Sequence, residues 1–560
     1  MSNIAARLTT TAATVPDGIA VVEPQAYDAH GKRIYRTVSF RELDDDSSRI
    51  AGALCELGVQ PGTRLALLVR PGIDFIALVF ALFKARAVAI LIDPGMGRLK
   101  LVRCLAEAQP EGFIAIPAAH AVRVLLGHRF PKARLNVTVG KRWFWGGSTL
   151  RELRDRNCPL AQPTTVAPED PAAIIFTTGS TGPSKGVLYC HQNFNAQVDE
   201  IREFYGIQSG EIDLACFPLF ALFNCAMGVT TVIPDMDPSR PAQADPAKIV
   251  EAIEDWRATQ SFGSPAIWQR VGRYCGDRGE RMATLRRVLS AGAPVPAQVL
   301  ERMRACIHPD GEIHTPYGAT EALPVASIGS REVLGETSFR TRHGGGVCVG
   351  RRFPGIDWRV IRIVDAPIVA LAQAEELPAG EIGELIVRGP VVTRQYVTRL
   401  DANRLGKIAD GSQVWHRMGD AGYLDEQGRF WFCGRVAHRV LTAAGAMYTI
   451  PCEAIFNCHE AVARSALVGI GSPGAQRPVM IVEPHAGRMP RSAYSREVLL
   501  GEIRQLAGTN PLTRPVQDFL VHPSFPVDIR HNAKIFREKL AVWAAGKLKG
   551  KADGGRGRVE

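Results

Sequence analysis

Residues 174–190 read IIFTTGSTGPSKGVLYC, and this stretch decides how the rest of the chain is interpreted. An apolar, β-branched run ends at Phe176, residues 177–186 are mostly Thr, Ser, Gly and Pro, and an apolar run resumes at Val187. Glycines let a backbone approach a ligand closely, and the many hydroxyl and amide donors together with Lys185 suit a polyphosphate. The stretch therefore predicts two strands joined by an anion-binding loop.

Two other interpretations of this loop start from the same residues. The Walker loop has the pattern G-x4-G-K-[ST] and leads into a helix, whereas here Lys185 is followed by Gly186 and a predicted strand. The Walker interpretation therefore fails on spacing and on context. An ordinary hairpin turn rich in Ser, Thr and Gly remains open from the residues of the loop alone.

Four further segments extend the pattern. They are HTPYGATEALPVAS (314–327), GELIVRGPVVTRQY (383–396), WHRMGDAGYLDEQGRFWFCGR (415–435) and DIRHNAKIFR (528–537). Together with the loop, and in this order, they resemble the conserved blocks of the adenylate-forming superfamily, which includes acyl-CoA synthetases, peptide-synthetase adenylation domains and luciferases. The resemblance implies an enzyme that uses ATP and Mg²⁺ to activate a carboxylic acid as its adenylate.

The bulk properties fit a globular enzyme. The chain has 560 residues, of which 46% are hydrophobic and 22% charged, and its net charge is +11. The basic residues are interpreted as scattered over a solvated surface without an aromatic-interleaved stripe, so no nucleic-acid partner is expected. The twelve cysteines lack a C-x-x-C pair, and no signal peptide is evident, which favours a cytoplasmic location.

The most apolar window, residues 75–94, is interrupted by Lys84 and Arg86 and predicts a buried helix and strand, with no integral membrane segment. Strand and helix patterns alternate to about residue 330, which predicts α/β layers with largely parallel sheets. Short strands between residues 340 and 433 predict a β-rich subdomain.

The resemblance implies a domain organisation of the α/β class. It divides the chain into a large multi-subdomain adenylation domain (1–434) and a small, mobile α+β lid (435–545), with a hinge at 434–438. The charged, Gly-rich residues 546–560 are expected to be a disordered tail.

The resemblance also implies roles for individual residues around the nucleotide. The loop would bind the β- and γ-phosphates through Thr177, Thr178, Ser180, Thr181 and Lys185. Hydrogen bonds that only stabilise the turn are the alternative role of its hydroxyl groups. Adenine falls to Tyr317 and Gly318 and to a second loop formed by Gly292, Ala293 and Pro294. Thr320 would contact phosphate, and Glu321 would bind Mg²⁺, since hard cations take oxygen ligands.

Three residues of the later blocks complete the implied site. Asp420 matches the aspartate that accepts hydrogen bonds from the ribose hydroxyls, and Arg435 matches the hinge arginine. Lys534 matches the lid lysine that bridges the carboxylate and the α-phosphate, as a mobile point charge on a long stem. Its surrounding sequence departs from the usual Pro-x-Thr-x-x-Gly-Lys pattern.

Two departures separate the chain from acyl-CoA ligases. FPLFALFNCAMG (217–228) has Ala221 where fatty-acid ligases carry a histidine, and GRVAHRVLTAAGAMYTIP (434–451) has lost most of the charges of the thiol-acceptor tunnel. The chain resembles instead the olefin β-lactone synthetases of bacterial long-chain olefin synthesis. That resemblance implies adenylation of a long-chain 2-alkyl-3-hydroxy acid, lactone closure by its own 3-hydroxyl, and a possible complex with other olefin-pathway enzymes.

Some assignments stay open at this point. The acyl chain needs an apolar pocket, for which the candidates are Phe217, Phe220, Phe223, Phe262 and Trp268, although such aromatics are often core residues. His438, His314 and Asp235 are candidate bases for lactone closure, and the sequence selects none of them. The alternative functions are a long-chain fatty acyl-CoA ligase and, from another class, an inactive nucleotide- or acyl-binding protein.

Overall fold

The structure is a computed structural model that describes residues 3–160, 165–177, 182–217, 219–527 and 535–554. Its chain divides into two compact units. Unit 1 comprises Met1–Ser327, Phe353–Asp357 and Val387–His416. Unit 2 comprises Ile328–Arg352, Trp358–Ile386 and Arg417–Glu560. No helix within the described ranges is long and apolar enough to cross a membrane.

Strands and helices alternate over most of the chain. The strands are β1 (Ile19–Tyr27), β2 (Arg33–Ser39), β3 (Arg64–Leu68), β4 (Val88–Leu91), β5 (Gly112–Ala115), β6 (Leu135–Thr138), β7 (Ser148–Thr149), β8 (Pro171–Phe176), β9 (Gly186–Cys190), β10 (Ile212–Ala215), β11 (Thr230–Val232), β12 (Gln260–Gly263), β13 (Arg287–Ser290), β14 (Glu312–Ala319), β15 (Ala322–Gly329), β16 (Val347–Cys348), β17 (Arg351–Arg352), β18 (Asp357–Ile361), β19 (Gly383–Arg388), β20 (Lys407–Asp410), β21 (Gln413–Leu424), β22 (Phe430–Arg435), β23 (Val440–Thr442), β24 (Gly445–Met447), β25 (Val462–Ile470), β26 (Arg477–Pro484) and β27 (Asp518–Val521). The helices are α1 (Ala5–Thr14), α2 (Phe40–Glu56), α3 (Ile73–Lys84), α4 (Arg98–Ala108), α5 (Pro117–Leu125), α6 (Leu150–Asp155), α7 (His191–Tyr205), α8 (Phe220–Met227), α9 (Pro246–Trp256), α10 (Pro265–Arg278), α11 (Ala297–Cys306), α12 (Ser330–Glu332), α13 (Ser338–Arg342), α14 (Asp401–Gly406), α15 (Thr449–Phe456), α16 (Ala493–Thr509) and α17 (Arg537–Gly554).

Unit 1 is built on two sheets. One has the order β15-β14-β13-β12-β10-β11-β1-β2, and its pairs from β1 to β14 are parallel except β1 with β2. The other has the order β7-β6-β5-β3-β4-β8-β9 and is parallel except for the β8–β9 hairpin. Parallel strands joined by helices need cover on both faces, which explains their apolar runs. The predicted α/β layers are confirmed.

The apolar window at residues 75–94 forms α3 and β4, as predicted. Lys84, at the end of α3, is 1% exposed, and its ammonium donates to Asp44 Oδ1 at 2.7 Å and to Ser48 Oγ at 2.8 Å. Burial lowers the pKa of Lys84, and the neighbouring Asp44 carboxylate opposes that shift. The lysine in the apolar run is therefore a paired core residue.

Unit 2 contains most of the β-rich subdomain predicted for residues 340–433, except Phe353–Asp357 and Val387–His416, which belong to unit 1, and it contains the C-terminal segment. A sheet of order β16-β22-β21-β19-β18 is followed by the β23–β24 hairpin and by a sheet of order β25-β26-β27. Helix α17 packs Leu540 and Ala544 into the core beside β25 and β26 and continues to Gly554. Residues 546–554, expected in the disordered tail, are therefore helical, as the end of this packed helix.

Candidate functional site

The carboxyl ends of four parallel strands meet at one edge of the first sheet of unit 1. In the register of β10, β12, β13 and β14, Ala215 lies beside Phe262, Phe262 beside Leu289, and Leu289 beside His314. The segments that follow these strands therefore share this edge, and they contain Phe217 and Phe220, Gly292–Pro294 and Tyr317–Glu321. Ligands of open α/β sheets bind at such edges.

Thr320 and Glu321 form the two-residue turn between β14 and β15. A Cβ on Gly318 would lie 2.7 Å from the carbonyl oxygen of Ala322, so the close approach within this hairpin requires glycine at that position. The hydroxyl of Tyr189 donates to the carbonyl oxygen of Thr320 at 2.5 Å. The turn that carries Glu321 is thus fixed from outside the hairpin.

The carboxylate of Glu321 is held by a tyrosine from a distant part of unit 1. Tyr396 Oη donates to Glu321 Oε1 at 2.7 Å, and Glu321 is only 9% exposed. Thr393 secures the backbone of the same residue, because its amide and its hydroxyl both donate to the Glu321 carbonyl oxygen, at 2.9 and 3.0 Å. These contacts orient a nearly buried acidic group at the strand edge.

Two lysines flank the ring of Tyr396. Lys185 Nζ lies 5.0 Å and Lys407 Nζ lies 5.7 Å from the ring centroid, within cation–π range. The Lys407 ammonium donates to the carbonyl oxygen of Thr393. Loss of hydration lowers the pKa of Lys407 to about 7; the Glu321 carboxylate opposes the shift and Lys185 adds to it. The two lysine ammonium groups are suited to bind an anion, and the Glu321 carboxylate beside them is suited to bind the cation that accompanies it.

A linking segment, defined as residues 391–398, joins this cluster to the Ser/Thr/Gly loop. Tyr396 bridges to Val187 of β9, and the amide of Gly186 donates to Thr398 Oγ1 at 2.7 Å. At the base of the loop, the Thr177 amide donates to the Lys185 carbonyl oxygen at 3.0 Å, and the Lys185 amide donates to Thr177 Oγ1 at 3.1 Å. The Thr177 hydroxyl thus makes a turn hydrogen bond that closes the loop base.

Some assigned residues lie outside the described part of the chain. They are Thr178, Ser180, Thr181 and Lys534. The second predicted loop is described: Gly292 has φ of +97°, follows β13, and is exposed together with Pro294, while Ala293 is partly buried. The positive φ explains why glycine stands there. Tyr317 is partly buried near the end of β14.

The aromatic residues assigned to an acyl pocket cluster at the same strand edge. Phe262 stacks on Phe220 with centroids 4.5 Å apart and lies 5.7 Å from Phe217, and Phe220 lies 5.9 Å from Phe223. Trp268 is 1% exposed and packs so closely on Gly263 that a Cβ there would lie 2.9 Å from its ring. These residues make an apolar surface beside the segments that carry Glu321 and Gly292.

Asp420 and Arg435 contact each other in unit 2. Asp420 on β21 is the register partner of Arg435 at the end of β22, and Arg435 Nη1 donates to Asp420 Oδ1 at 2.6 Å. The Asp420 side chain is 5% exposed and that of Arg435 is 34% exposed. The pair therefore presents a buried carboxylate whose geometry is set by an antiparallel ladder.

The candidate bases lie in different environments. Burial lowers the pKa of both His314 and His438 to about 4, and Arg537 adds to the effect at His438. Asp235 is paired with Lys248 at 2.7 Å and with Arg33 at 2.9 Å, and the hydrogen bond from Lys248 lowers its pKa. The two histidines are thus partly buried and Asp235 is ion-paired, and these surroundings select none of the three as the base.

Sequence reasoning missed three members of the cluster around Glu321. Tyr396 and Thr393 stand in the block 383–396, so their position in a conserved segment was a usable signal. Lys407 stands outside the blocks that carry the resemblance, and its role follows only from its contact with Thr393 and its distance from the Tyr396 ring.

The chain matches a family of known proteins. The family model described as AMP-binding enzyme matches residues 8–397, and the chain belongs to that family. It is 47% identical over 559 residues to the olefin β-lactone synthetase of Stenotrophomonas maltophilia strain K279a, covering 98% of this chain and 99% of the relative. The olefin β-lactone synthetase of Xanthomonas campestris pv. campestris is also 47% identical, over 552 residues, covering 97% of this chain and 98% of the relative.

The fold has a solved counterpart. An amide bond synthetase from Marinactinospora thermotolerans, in a mutant form, aligns with a TM-score of 0.77 and 22% identity, covering 97% of this chain and 100% of that chain. The predicted adenylate-forming class and the predicted resemblance to olefin β-lactone synthetases are therefore confirmed.

Proposed function

We propose that this chain is an ATP-dependent β-lactone synthetase of long-chain olefin biosynthesis. The observation that carries the proposal is 47% identity to two olefin β-lactone synthetases over nearly the whole of each chain. A match of that extent includes both units and every block that carries the chemistry. The function is thus proposed for the whole chain and for both halves of the reaction.

The proposed reaction has two steps. A carboxylate oxygen of a long-chain 2-alkyl-3-hydroxy acid attacks the α-phosphorus of ATP, and pyrophosphate leaves. The 3-hydroxyl oxygen of the same acid then attacks the acyl carbon, its proton is lost, AMP leaves, and a four-membered lactone closes. Because the nucleophile is internal, proximity supplies up to roughly 7–11 kcal/mol in well-oriented cases, which works against ring strain.

The cluster around Tyr396 suits the phosphate end of ATP. The ammonium groups of Lys185 and Lys407 neutralise phosphate oxygens, and Thr320 and the donors of the loop, Thr178, Ser180 and Thr181 among them, supplement these charges. The Glu321 carboxylate, oriented by Tyr396, would hold Mg²⁺, since oxygen ligands suit that ion. When bound, Mg²⁺ supplies positive charge against the departing pyrophosphate.

The remaining roles rest on the resemblance. Tyr317 and the loop Gly292–Pro294 would contact adenine, Asp420 would accept hydrogen bonds from the ribose, and Arg435 would orient Asp420 through their 2.6 Å contact. Lys534 would bridge the acid and the α-phosphate from a lid formed by residues 435–545, which would rotate on the adenylation domain 1–434. The aromatic cluster around Phe262 would line the path of an alkyl chain.

The β23–β24 hairpin supports an internal nucleophile. Residues 440–447, which form this hairpin, carry no charged side chain, whereas an acceptor such as CoA brings several phosphates that need cations. Ala221, where ligases for fatty acids carry histidine, is fully buried in α8. An enzyme that needs no external thiol can lose both features. Association with other olefin-pathway enzymes and a cytoplasmic location remain predictions.

Mass spectrometry of the products tests the proposal. The protein is incubated with a 2-alkyl-3-hydroxy acid, ATP and Mg²⁺, with and without CoA, and AMP, pyrophosphate and the lactone are the expected products in both cases. A thioester that forms only with CoA would make the chain an acyl-CoA ligase. Absence of pyrophosphate in both reactions would make it a binding protein without turnover.

A further inference from the structure

One surface of unit 1 combines exposed aromatic side chains with concentrated positive charge. Residues 112–151 contain seven Lys and Arg residues and no Asp or Glu. Within them, residues 141–144 read Lys-Arg-Trp-Phe, in the connection between β6 and β7. This segment therefore places two basic residues directly beside two aromatic residues.

The tip of this connection exposes its aromatic residues to solvent. Phe144 is 76% exposed and Trp143 is 57% exposed, although both are large apolar side chains, and Lys141 and Arg142 beside them are also exposed. The nearby helix α5 adds exposed apolar side chains, with Leu125 at 80%. Contiguous exposed apolar groups of this kind mark interaction sites on monomeric proteins.

The tip is held in place by a buried neighbour. Trp145 is 5% exposed, its indole donates to Thr138 Oγ1 at 3.0 Å, and its ring stacks on His120 of α5 at 5.6 Å. Gly147 has φ of +98°, and a Cβ there would lie 2.3 Å from the Asn136 carbonyl oxygen, so the chain runs close against β6. Trp143 and Phe144 are thus presented outward from a fixed base.

The charges at the tip are available to a partner. Within the described ranges, no carboxylate forms an ion pair with Lys141. Arg142 pairs with Glu152 at 3.2 Å, and both side chains of that pair are more than one-third exposed, so solvent weakens the contact. Arg123 of α5 donates to His120, next to the Trp145 ring, and adds a cation to the same surface.

We propose that residues 141–144 and the basic surface around them bind the interface of an anionic phospholipid bilayer. Trp and Phe side chains partition into the boundary between headgroups and acyl chains, and flanking Lys and Arg side chains attract anionic headgroups. An apolar tip next to Lys141 and Arg142, of which Arg142 makes only a solvent-exposed pair with Glu152, matches that interface. The proposal rests on this surface alone and is independent of the reaction assigned above.

Vesicle flotation with the full-length chain tests the proposal. Vesicles of phosphatidylcholine with phosphatidylglycerol should carry the protein upward, vesicles of phosphatidylcholine alone should carry less, and added salt should weaken the binding to the anionic vesicles. Lys141→Glu should reduce partition by at least about fivefold, the effect of one cation near an anionic surface. The double variant Trp143→Ser, Phe144→Ser should reduce it by at least about tenfold.

A matched control is Tyr494→Ser on α16, which removes an aromatic side chain that is 81% exposed elsewhere in the chain, and it should float like the unmodified protein. Equal flotation of the double variant and the unmodified protein would overturn the proposal. So would a lower molecular mass of the double variant in sedimentation velocity without lipid, since the surface would then join two copies. Tighter binding to an oligonucleotide than to vesicles, lost in the double variant, would also overturn it.

Discussion

Tyr396 donates a hydrogen bond of 2.7 Å to the carboxylate of Glu321, although the two residues are 75 positions apart in the chain. The centroid of the same tyrosine ring lies 5.0 Å from Lys185 Nζ and 5.7 Å from Lys407 Nζ. One aromatic residue therefore organises the acid and both cations of the proposed phosphate site.

Tyr396→Phe should raise the Mg²⁺ concentration needed for half-maximal pyrophosphate release by about 10–100-fold, the usual effect of removing a group that orients a metal ligand. The phenyl ring keeps the packing, so the folded state should persist. Tyr205→Phe is the matched control, because its hydroxyl donates to Ser327 at 3.0 Å, away from this cluster. An unchanged Mg²⁺ dependence of the Tyr396 variant would contradict the role of Tyr396.

Lys407→Met should remove a proton uptake that accompanies ATP binding. The pKa of Lys407 is lowered to about 7, so at pH 8 most of its amine is neutral in the free protein. An anionic triphosphate raises that pKa and draws a proton onto the amine, so ATP affinity should fall between pH 7 and 9 in the unmodified protein. Calorimetric titration in buffers of different ionisation enthalpy measures the uptake.

Two variants serve as controls for Lys407. Lys248→Met removes a lysine that is paired with Asp235 and should leave the proton uptake unchanged. Lys407→Arg keeps a permanent charge, so it should bind ATP without proton uptake. Equal uptake by the unmodified protein and Lys407→Met would place the titrating group elsewhere.

Asp420→Ala should weaken AMP binding by at least about tenfold, because a buried carboxylate that accepts hydrogen bonds contributes about 1.5–3 kcal/mol. Isothermal titration with AMP measures the affinity. Asp357→Ala is the control. That exposed carboxylate pairs with Arg388, both residues belong to unit 1 whereas Asp420 belongs to unit 2, and its loss should leave the affinity unchanged. Unchanged affinity in Asp420→Ala would remove Asp420 from the ribose site.

Asp213→Asn should change the pH dependence of stability. Asp213 is 1% exposed, and burial raises its pKa to about 7, although the Asn224 amide donates to it at 2.7 Å. Between its unfolded pKa of about 4 and pH 7 the folded state binds the extra proton, so stability present at low pH is lost as pH rises through 7, by up to about 4 kcal/mol.

Asparagine carries no charge, so the variant should have a higher Tm than the unmodified protein at pH 8, and the difference in Tm should be smaller at pH 5. Thermal unfolding followed by circular dichroism at the two pH values measures this difference. A variant that loses the same stability between pH 5 and pH 8 as the unmodified protein would show that Asp213 does not titrate there.

The elements of the fold could be predicted where their signals are local. The loop of residues 177–186 lies between β8 and β9 as predicted, because the change from apolar to Ser/Thr/Gly residues is contained within the segment. Helix α2 begins at a capping box in which Ser39 and Glu42 bond each other's backbone amides, a signal that spans four positions. The structure of such segments can be predicted because the residues that determine it lie within a few positions of one another.

The same local reasoning did not predict that the side chains of residues 141–144 are exposed to solvent. The sequence shows three aromatic residues at positions 143–145, but it does not show which of them is buried. Trp145 is buried because it contacts Thr138 and His120, which belong to other elements. The exposed pair Trp143 and Phe144 became a distinct surface only once Trp145 was seen to occupy the interior.

The sequence by itself determined the α/β class and the order of the family blocks, and it predicted site roles for Lys185, Glu321, Asp420 and Arg435. The tertiary structure alone decided that Tyr396 orients Glu321, that Lys407 is a second cation, and that Asp420 faces Arg435 across a ladder. The physical reason is the distance along the chain over which each interaction acts. Helix caps and hydrophobic periodicity depend on residues only a few positions apart. Contacts such as Gly186 with Thr398, 212 positions apart, depend on the register in which strands and segments pair.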